Sequence, residues 1–323
     1  MSLPHNTRLS QQKNNRLRIA VSACLLGQKV RYDGGDKRHD FVCRVLAKLA
    51  ELVPVCPEVE IGLGVPRPPI HLVDNGARLK AIGVTDQALD VTPQLDQFGQ
   101  IAARHLSGID GYIFKARSPS CGVTSTPISL GRGRYRKGAG LFAAQIMRRM
   151  PLLPVTEETA LEYTDDHIHF IQRVEAYRGL RELLAQRPGY QQLHDFHLDQ
   201  RLSLMAHGRE GLREIDYWIA CLPKGEKLRN NQRQEYGRLF MRQFTRRATH
   251  RRHLVVLHHL ASRVRKGMQK AQYNRLLELI DAFAQEKVEL VRVMAQLRAL
   301  LQLESQADLR RQSYLQQSLC FKL

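Results

Sequence analysis

Short apolar runs alternate with helical segments from residue 17 to about residue 157, and from about residue 165 that alternation stops. This change constrains the fold more than any other feature. "LRIAVSAC" (17–24) reads as a strand, and "VCRVLAKLAELV" puts Val42, Val45, Leu46 and Leu49 on one helical face. "LVPVC" follows as a second strand, which predicts a parallel pair joined by a right-handed crossover. "HLVDNGARLKAIGV" carries Asn75-Gly76 between alternating segments, a hairpin signal. "LDQFGQIAARHL" reads as helix, "GYIFKA" as strand, "GAGLFAAQIMRRM" as helix and "PLLPVT" as a last strand. The second half instead keeps apolar residues three and four apart, as in "YNRLLELIDAFAQEKVELVRVMAQLRALLQ". The expected architecture is an α/β domain with a mainly parallel sheet followed by an all-α helical domain. Pro188 and Gly189 interrupt the helical pattern and mark a boundary. The expected division is a flexible arm over 1–16, the α/β domain over 17–164, a helical linker over 165–189 and the helical domain over 190–323.

Residues 1–16 are polar and lack the apolar core of a secretory signal, and no apolar run is long enough to span a bilayer. A cytoplasmic protein without a membrane segment is expected. Six cysteines in 323 residues, with no CxxC pair, fit reduced thiols. The net charge of +19 divides evenly: 22 Lys/Arg less 13 Asp/Glu gives +9 over 1–160, and 28 less 18 gives +10 over 161–323. Only local clustering can therefore point to a polyanionic partner.

Cys24, Cys56 and Cys121 share a position: each falls at or just past the carboxyl end of an expected parallel strand. Those ends form one rim of an open α/β sheet, where ligands bind. Three thiols spaced 32 and 65 residues apart can thus converge. Their neighbours are glycine, proline, serine and glutamate, whereas Cys43 on the apolar helix face and Cys221 beside Ile219 and Leu222 read as small packed hydrophobes. Cys320 has no evident role. Three thiolates can hold zinc with one position open, or three irons of a cubane cluster with the fourth iron free of protein ligands. Spacing leaves both open, and the absence of a close cysteine pair favours the cluster.

"SACLLGQKVRYDGG", "PVCPEVEIGLGVPRPP" and "KARSPSCG", in that order, resemble the motif segments of the TudS-type thiouracil desulfidase family, over roughly residues 17–160. "DFHLDQRLSLMAHG", "TRRATHRRHLVVLHHL" and "QSYLQ" are similar to the YbgA-type helical domain that often follows it. The resemblance implies a 4Fe-4S cluster ligated by Cys24, Cys56 and Cys121, with Glu58 and Ser118 assisting the reaction. It implies removal of sulfur from a thiolated pyrimidine base, nucleotide or related thioamide. Glu60 and Ser120 stand as alternatives to Glu58 and Ser118, because spacing does not say which side chains face the centre.

"VRYDGGDKRH" reads as a tight loop, either approaching a ligand or simply a surface turn; Arg67 reads either as pointing to an anionic or carbonyl-bearing substrate or, by preference, as a solvated arginine. "GRGRYRKGAG" before a helix reads as a phosphate cradle or as a mobile basic loop. Residues 242–270 hold nine Lys/Arg, four His and no acid, with Leu254, Leu257, Val264 and Met268 on the expected core face. This stripe suggests an RNA or nucleotide face carrying Arg246, Arg247, Arg251 and Arg252. The alternative functions are an RNA-binding protein with a structural or sensory cysteine-ligated metal, and a zinc hydrolase.

Overall fold

The computed structural model describes residues 16–76, 78–225, 227–265, 268–303 and 307–316. Apart from Arg16, the expected arm lies outside these residues, as does Cys320.

The α/β half is built as the pattern implies. Strand β1 (Leu17–Ser22) is buried on both faces apart from Arg18, which suits a central strand flanked by parallel neighbours. It continues into a short 3-10 turn (Ala23–Leu26). The crossover starts as a π-type helical turn (Phe41–Leu46) and closes as α1 (Ala47–Leu49), before β2 (Ala50–Val55) pairs parallel to β1 from Leu17↔Ala50 to Ser22↔Val55. β5 (Gly111–Phe114) lies on the other side of β1, and β8 (Val155–Glu157) completes an all-parallel sheet in the order β2-β1-β5-β8. The carboxyl ends of β2, β1 and β5 are therefore neighbours. The segments that carry Cys56, Cys24 and Cys121 leave from one rim.

A second sheet has the order β4-β3-β6-β7. The Asn75-Gly76 hairpin forms as expected between β3 (Ile70–Asp74) and β4 (Leu79–Gly83). β6 (Thr126–Ser129) and β7 (Tyr135–Gly138) form another hairpin, which corrects the reading of "GRGRYRKGAG". Gly131, Arg132 and Gly133 take left-handed backbone at its tip, and Arg136 pairs with Asp74 at 2.7 Å. The basic residues thus belong to a hairpin and not to a helix start. β7 is exposed over Tyr135, Arg136 and Lys137, so it has no apolar face from which a strand could be read.

Helices α2 (Pro57–Glu60), α3 (Thr92–His105) and α4 (Leu141–Arg149) complete this half. The remainder is helical: α5 (Thr164–Ala185), α6 (Tyr190–His207), α7 (Arg209–Ala220), α8 (Asn230–Gln243), α9 (His250–Val264), α10 (Lys270–Ala284), α11 (Leu290–Leu303), α12 (Ala307–Arg310) and α13 (Ser313–Gln316). α5 joins the halves. Its Phe170, Ile171 and Val174 pack with Leu17, Ile19, Val21 and Ile113, and its Ala176, Tyr177 and Leu180 enter the core of the helical half. Arg181 on α5 also pairs with buried Asp110 at 2.8 Å.

On α9 the buried residues are His253, Val256, Leu257, Leu260, Ala261 and Val264, while Leu254 and Met268 are half-buried at the core edge. Cys221 corrects the packed reading: it caps α7 and is exposed, because the helix turns Ile219 inward and the chain turns Leu222 inward just after it. Among the described residues no helix is long and apolar enough to cross a membrane.

Candidate active site

The first rim segment is fixed by backbone bonds. The Cys24 carbonyl accepts from the N–H groups of Gly27 at 3.2 Å and Lys37 at 2.9 Å, which folds the 27–37 loop back over β1. Gly27 makes that reversal with φ +84°, a region open to glycine. In the same loop Asp33 accepts from Arg31 and from the Gly35 N–H, so the sequence is a turn whose Arg31 and Tyr32 also face the cavity.

Cys56 precedes α2, and its thiol lies 3.7 Å from the Val30 carbonyl. Arg67 ties these pieces together. Its Nε and Nη2 both donate to Oε2 of Glu58 at 2.9 Å, and its Nη1 donates to the carbonyls of Val30 at 3.0 Å and Gly64 at 2.8 Å. The side chain is only 4 % exposed, so the expected solvated arginine is instead a buried clamp. Its fork of donors meets a carboxylate and two carbonyls at once, which offsets the cost of burying the charge.

The third segment, residues 117–125, is organised from both sides. Ser118 Oγ accepts from the N–H groups of Ser120 at 3.3 Å and Cys121 at 3.1 Å. The carbonyls of Pro119 and Ser120 accept from Leu141 and Ala143 at the start of α4. Glu157 accepts from the N–H groups of Val123, Thr124 and Ser125 and from the Ser125 hydroxyl. Burial raises the Glu157 carboxyl, but these bonds outweigh it and hold the group below the usual carboxylate range. Backbones approach so closely that a Cβ on Gly122 would lie 2.0 Å from Thr126 Oγ1, and one on Gly140 2.5 Å from the Ser120 carbonyl carbon.

These segments enclose a cavity of about 640 Å³ lined by Cys24, Cys56, Cys121, Glu58 and Ser118. Arg31, Lys37, Lys115 and Arg117 add positive charge to its wall. Glu60 is exposed and does not line the cavity. Ser120 is fully buried behind it and donates to Oε1 of Glu58 at 2.9 Å. Sequence reasoning misread Arg67 and missed Glu157 and the Lys115–Glu158 ion pair. The strand-end logic applied to cysteines, extended to carboxylates, would have found Glu157 and Glu158, since both sit where β8 ends beside β5.

The thiols themselves suggest what the cavity holds. Burial, then the neighbouring Cys56, pushes Cys24 up to about 11, and burial raises Cys56 and lifts Cys121 well above the ordinary thiol value. Burial therefore favours the protonated thiol at all three positions, and a positively charged centre bound among them would favour the thiolates instead. Among the described residues no group of three or more His, Cys, Asp or Glu forms a site for a single metal ion. Three cysteine thiols lining one cavity are the type of donor an iron-sulfur cubane takes, one thiolate to an iron.

The fold and this rim define an α/β domain that gathers cysteine thiols, a clamped carboxylate and a serine hydroxyl around one cavity, joined to a helical domain. Residues 19–158 match the family model described as 2-thiouracil desulfurase, and residues 201–318 match a protein family of unknown function, DUF1722. A solved structure titled 4Fe-4S-dependent thiouracil desulfidase TudS is 34 % identical and aligns over 45 % of this chain and 93 % of its own, with a TM-score of 0.38. No curated protein matches. On the sequence match, the chain belongs to the 2-thiouracil desulfurase family through its α/β domain.

Proposed function

We propose that the α/β domain removes sulfur from a thiolated pyrimidine or related thioamide by hydrolysis, releasing sulfide, with Cys24, Cys56 and Cys121 holding a 4Fe-4S centre. The observation that carries this reading is the convergence of those three thiols on one cavity with Glu58 and Ser118. Such a centre, held by three thiolates, supplies one iron without a protein ligand, a Lewis acid suited to a soft thiocarbonyl sulfur.

The protein groups divide the remaining work. Oε2 of Glu58 is engaged by Arg67, while Oε1 accepts a single bond from Ser120 and keeps a lone pair for a water molecule. Glu58 takes a proton as that water attacks the carbon bearing sulfur. The carbon–sulfur bond breaks with its electron pair on sulfur, sulfide leaves, and a carbonyl replaces the thiocarbonyl. No net electron transfer occurs. Ser118 Oγ accepts two backbone bonds, and its own proton is free to orient the pyrimidine. Reduced rim thiols and a labile centre of this type favour a cytoplasmic setting.

The test is anaerobic incubation with 2-thiouracil in water enriched in heavy oxygen. One sulfide per carbonyl formed, with the label in the product, is expected. Product without label removes the hydrolytic step, and absence of sulfide removes the activity.

A second reading concerns the helical domain. Arg246, Arg247 and Arg251 are exposed beside half-buried Arg252 around the start of α9, which favours an RNA-facing surface, although Asp166 already pairs with Arg247 and Glu210 lies 3.9 Å from Arg246. Retention on RNA that weakens with salt, and that is lost when Arg246 and Arg251 become Ala, supports it; retention unchanged in that variant contradicts it.

A further inference from the structure

A second cavity, of about 360 Å³, lies in the helical half and shares no lining residue with the cysteine-lined one. Tyr190, His194, His197 and Arg201 line it from α6, spaced three and four residues apart and so on one face of the helix. Asp216 lines it from α7, and Lys224 from the turn that follows α7. Buried polar groups brace this wall from behind. Nε2 of His197, which is buried in the helical core, donates to Oδ1 of Asp216 at 2.8 Å, and the fully buried Tyr236 hydroxyl lies 3.5 Å from Nδ1 of the same ring. Nη1 of Arg201 donates to Asp216 Oδ1 as well, at 2.8 Å. Burial raises the Asp216 carboxyl, but the bond from His197 and the charge of Arg201 outweigh it and hold the group below the usual carboxylate range.

Helix packing needs neither an imidazole nor a phenol in an apolar core, and burying them is costly unless they are bonded. What the chain gains is a carboxylate held in one orientation, the arrangement of a preorganised binding group. Oδ1 is taken twice, whereas Oδ2 accepts no hydrogen bond among the described residues. Arg201 likewise keeps donors that no described residue accepts from. The cavity thus offers a hydrogen-bond acceptor beside a donor. Tyr190 and His194 add an aromatic wall, with rings 14° from parallel and centroids 5.7 Å apart. The charge of Arg201 is met by Asp216, so Lys224, which makes no ion pair among the described residues, gives the lining its net positive charge.

We infer that this cavity binds a nucleoside monophosphate, with the base against Tyr190 and His194, an N–H of the base donating to Asp216, a neighbouring acceptor of the base taking Arg201, and Lys224 meeting the phosphate. A planar ring suits the aromatic wall, and a donor next to an acceptor on its edge matches the Asp216–Arg201 pair. An anionic substituent answers the remaining charge. The volume lies within the range of roughly 300–1,000 Å³ that small-molecule sites occupy. The inference concerns the helical domain and holds whatever reaction the α/β domain performs.

The experiment titrates the full chain with uridine and adenosine 5′-monophosphates, 3-methyluridine 5′-monophosphate and ribose 5-phosphate, followed by calorimetry and by tryptophan emission. Trp218 is the chain's single tryptophan, two residues past Asp216, and its ring centroid lies 6.3 Å from that of Tyr236, so its emission reports this cavity and not the sheet rim. One uridine or adenosine monophosphate per chain is expected to bind and to change that emission. Ribose 5-phosphate, which has no base, and the 3-methyl nucleotide, which lacks the ring N–H, are expected to bind about 10-fold more weakly than uridine monophosphate or worse. Asp216→Asn and Lys224→Ala are each expected to weaken binding by a similar factor, and Glu58→Gln to leave it unchanged. Lys224 is exposed, so Lys224→Ala decides the matter if Asp216→Asn does not fold. Failure of both nucleotides to bind, or affinity undiminished in both variants, overturns the inference. Ribose 5-phosphate or the 3-methyl nucleotide binding as tightly as uridine monophosphate overturns it too, since the base edge is then not read. Binding that leaves Trp218 unchanged and is lost in Glu58→Gln puts the nucleotide at the sheet rim, and the inference fails while the proposed desulfuration stands.

Discussion

Arg67 and Glu58 form a buried ion pair at the cavity wall, with Nε and Nη2 of the guanidinium both 2.9 Å from Oε2 and the two side chains 4 % and 13 % exposed. The pair holds the carboxylate at a fixed place and leaves its other oxygen facing Ser120. Removing one partner of such a pair strands the other in a poorly hydrated place. Arg67→Ala is expected to destabilise the α/β domain by about 3 kcal/mol in denaturant unfolding. Arg67→Lys recovers only part of this, because an ammonium cannot reach the carboxylate and the two carbonyls together.

Glu58→Gln keeps the size of the side chain and removes its ability to take a proton. Sulfide release is expected to fall by roughly 10²- to 10⁴-fold, with iron and sulfide content unchanged. Turnover near the parent rate would remove Glu58 from the reaction.

Gly122 and Gly140 predict a geometric effect rather than a chemical one. A methyl group at Gly140 meets the Ser120 carbonyl, so the Cys121 loop has to move off the start of α4. Gly140→Ala is expected to cost about 1–3 kcal/mol and to lower iron content, measured by chemical unfolding and metal analysis. A variant as stable and as fully loaded as the parent contradicts the close packing.

The helical half carries an acid weakness. Burial pushes His207 down to about 3, and burial together with His250 pushes His253 down to about 4. Both are neutral in the folded state, while the unfolded chain protonates them near pH 6.5. Their contribution is complete above pH 6.5 and is lost progressively as pH falls toward 4 and 3. Each histidine adds a slope of about 1.4 kcal/mol per pH unit within its window. His207→Gln is expected to flatten the acid limb of stability against pH by about one proton, and an unchanged limb would show that His207 does not titrate there.

The rim was legible because strand ends are readable. β1, β2 and β5 announce themselves by apolar runs; Cys24 and Cys56 follow the first two at once, and Cys121 lies in the loop that leaves β5. Glu58 and Ser118 entered through motif resemblance, and spacing alone did not separate them from Glu60 and Ser120. What escaped depended on chain segments meeting. Arg67 looked solvated because the carbonyls it bonds, Val30 and Gly64, are not written in side-chain types. β7 escaped because its exposed Tyr135, Arg136 and Lys137 carry no inward face, and the pairing that makes it a strand comes from β6. Cys221 was misread because burial at a helix end depends on which way the cap turns.

The central claim is that three distant thiols hold one inorganic centre, and the most direct measurement is iron and acid-labile sulfide per chain after anaerobic purification, for the parent and for Cys121→Ala. The account predicts about four of each per chain in the parent, with visible absorption, and a large loss of both in the variant. A parent that carries zinc or no metal, or a Cys121→Ala variant with undiminished iron and sulfide, would contradict it.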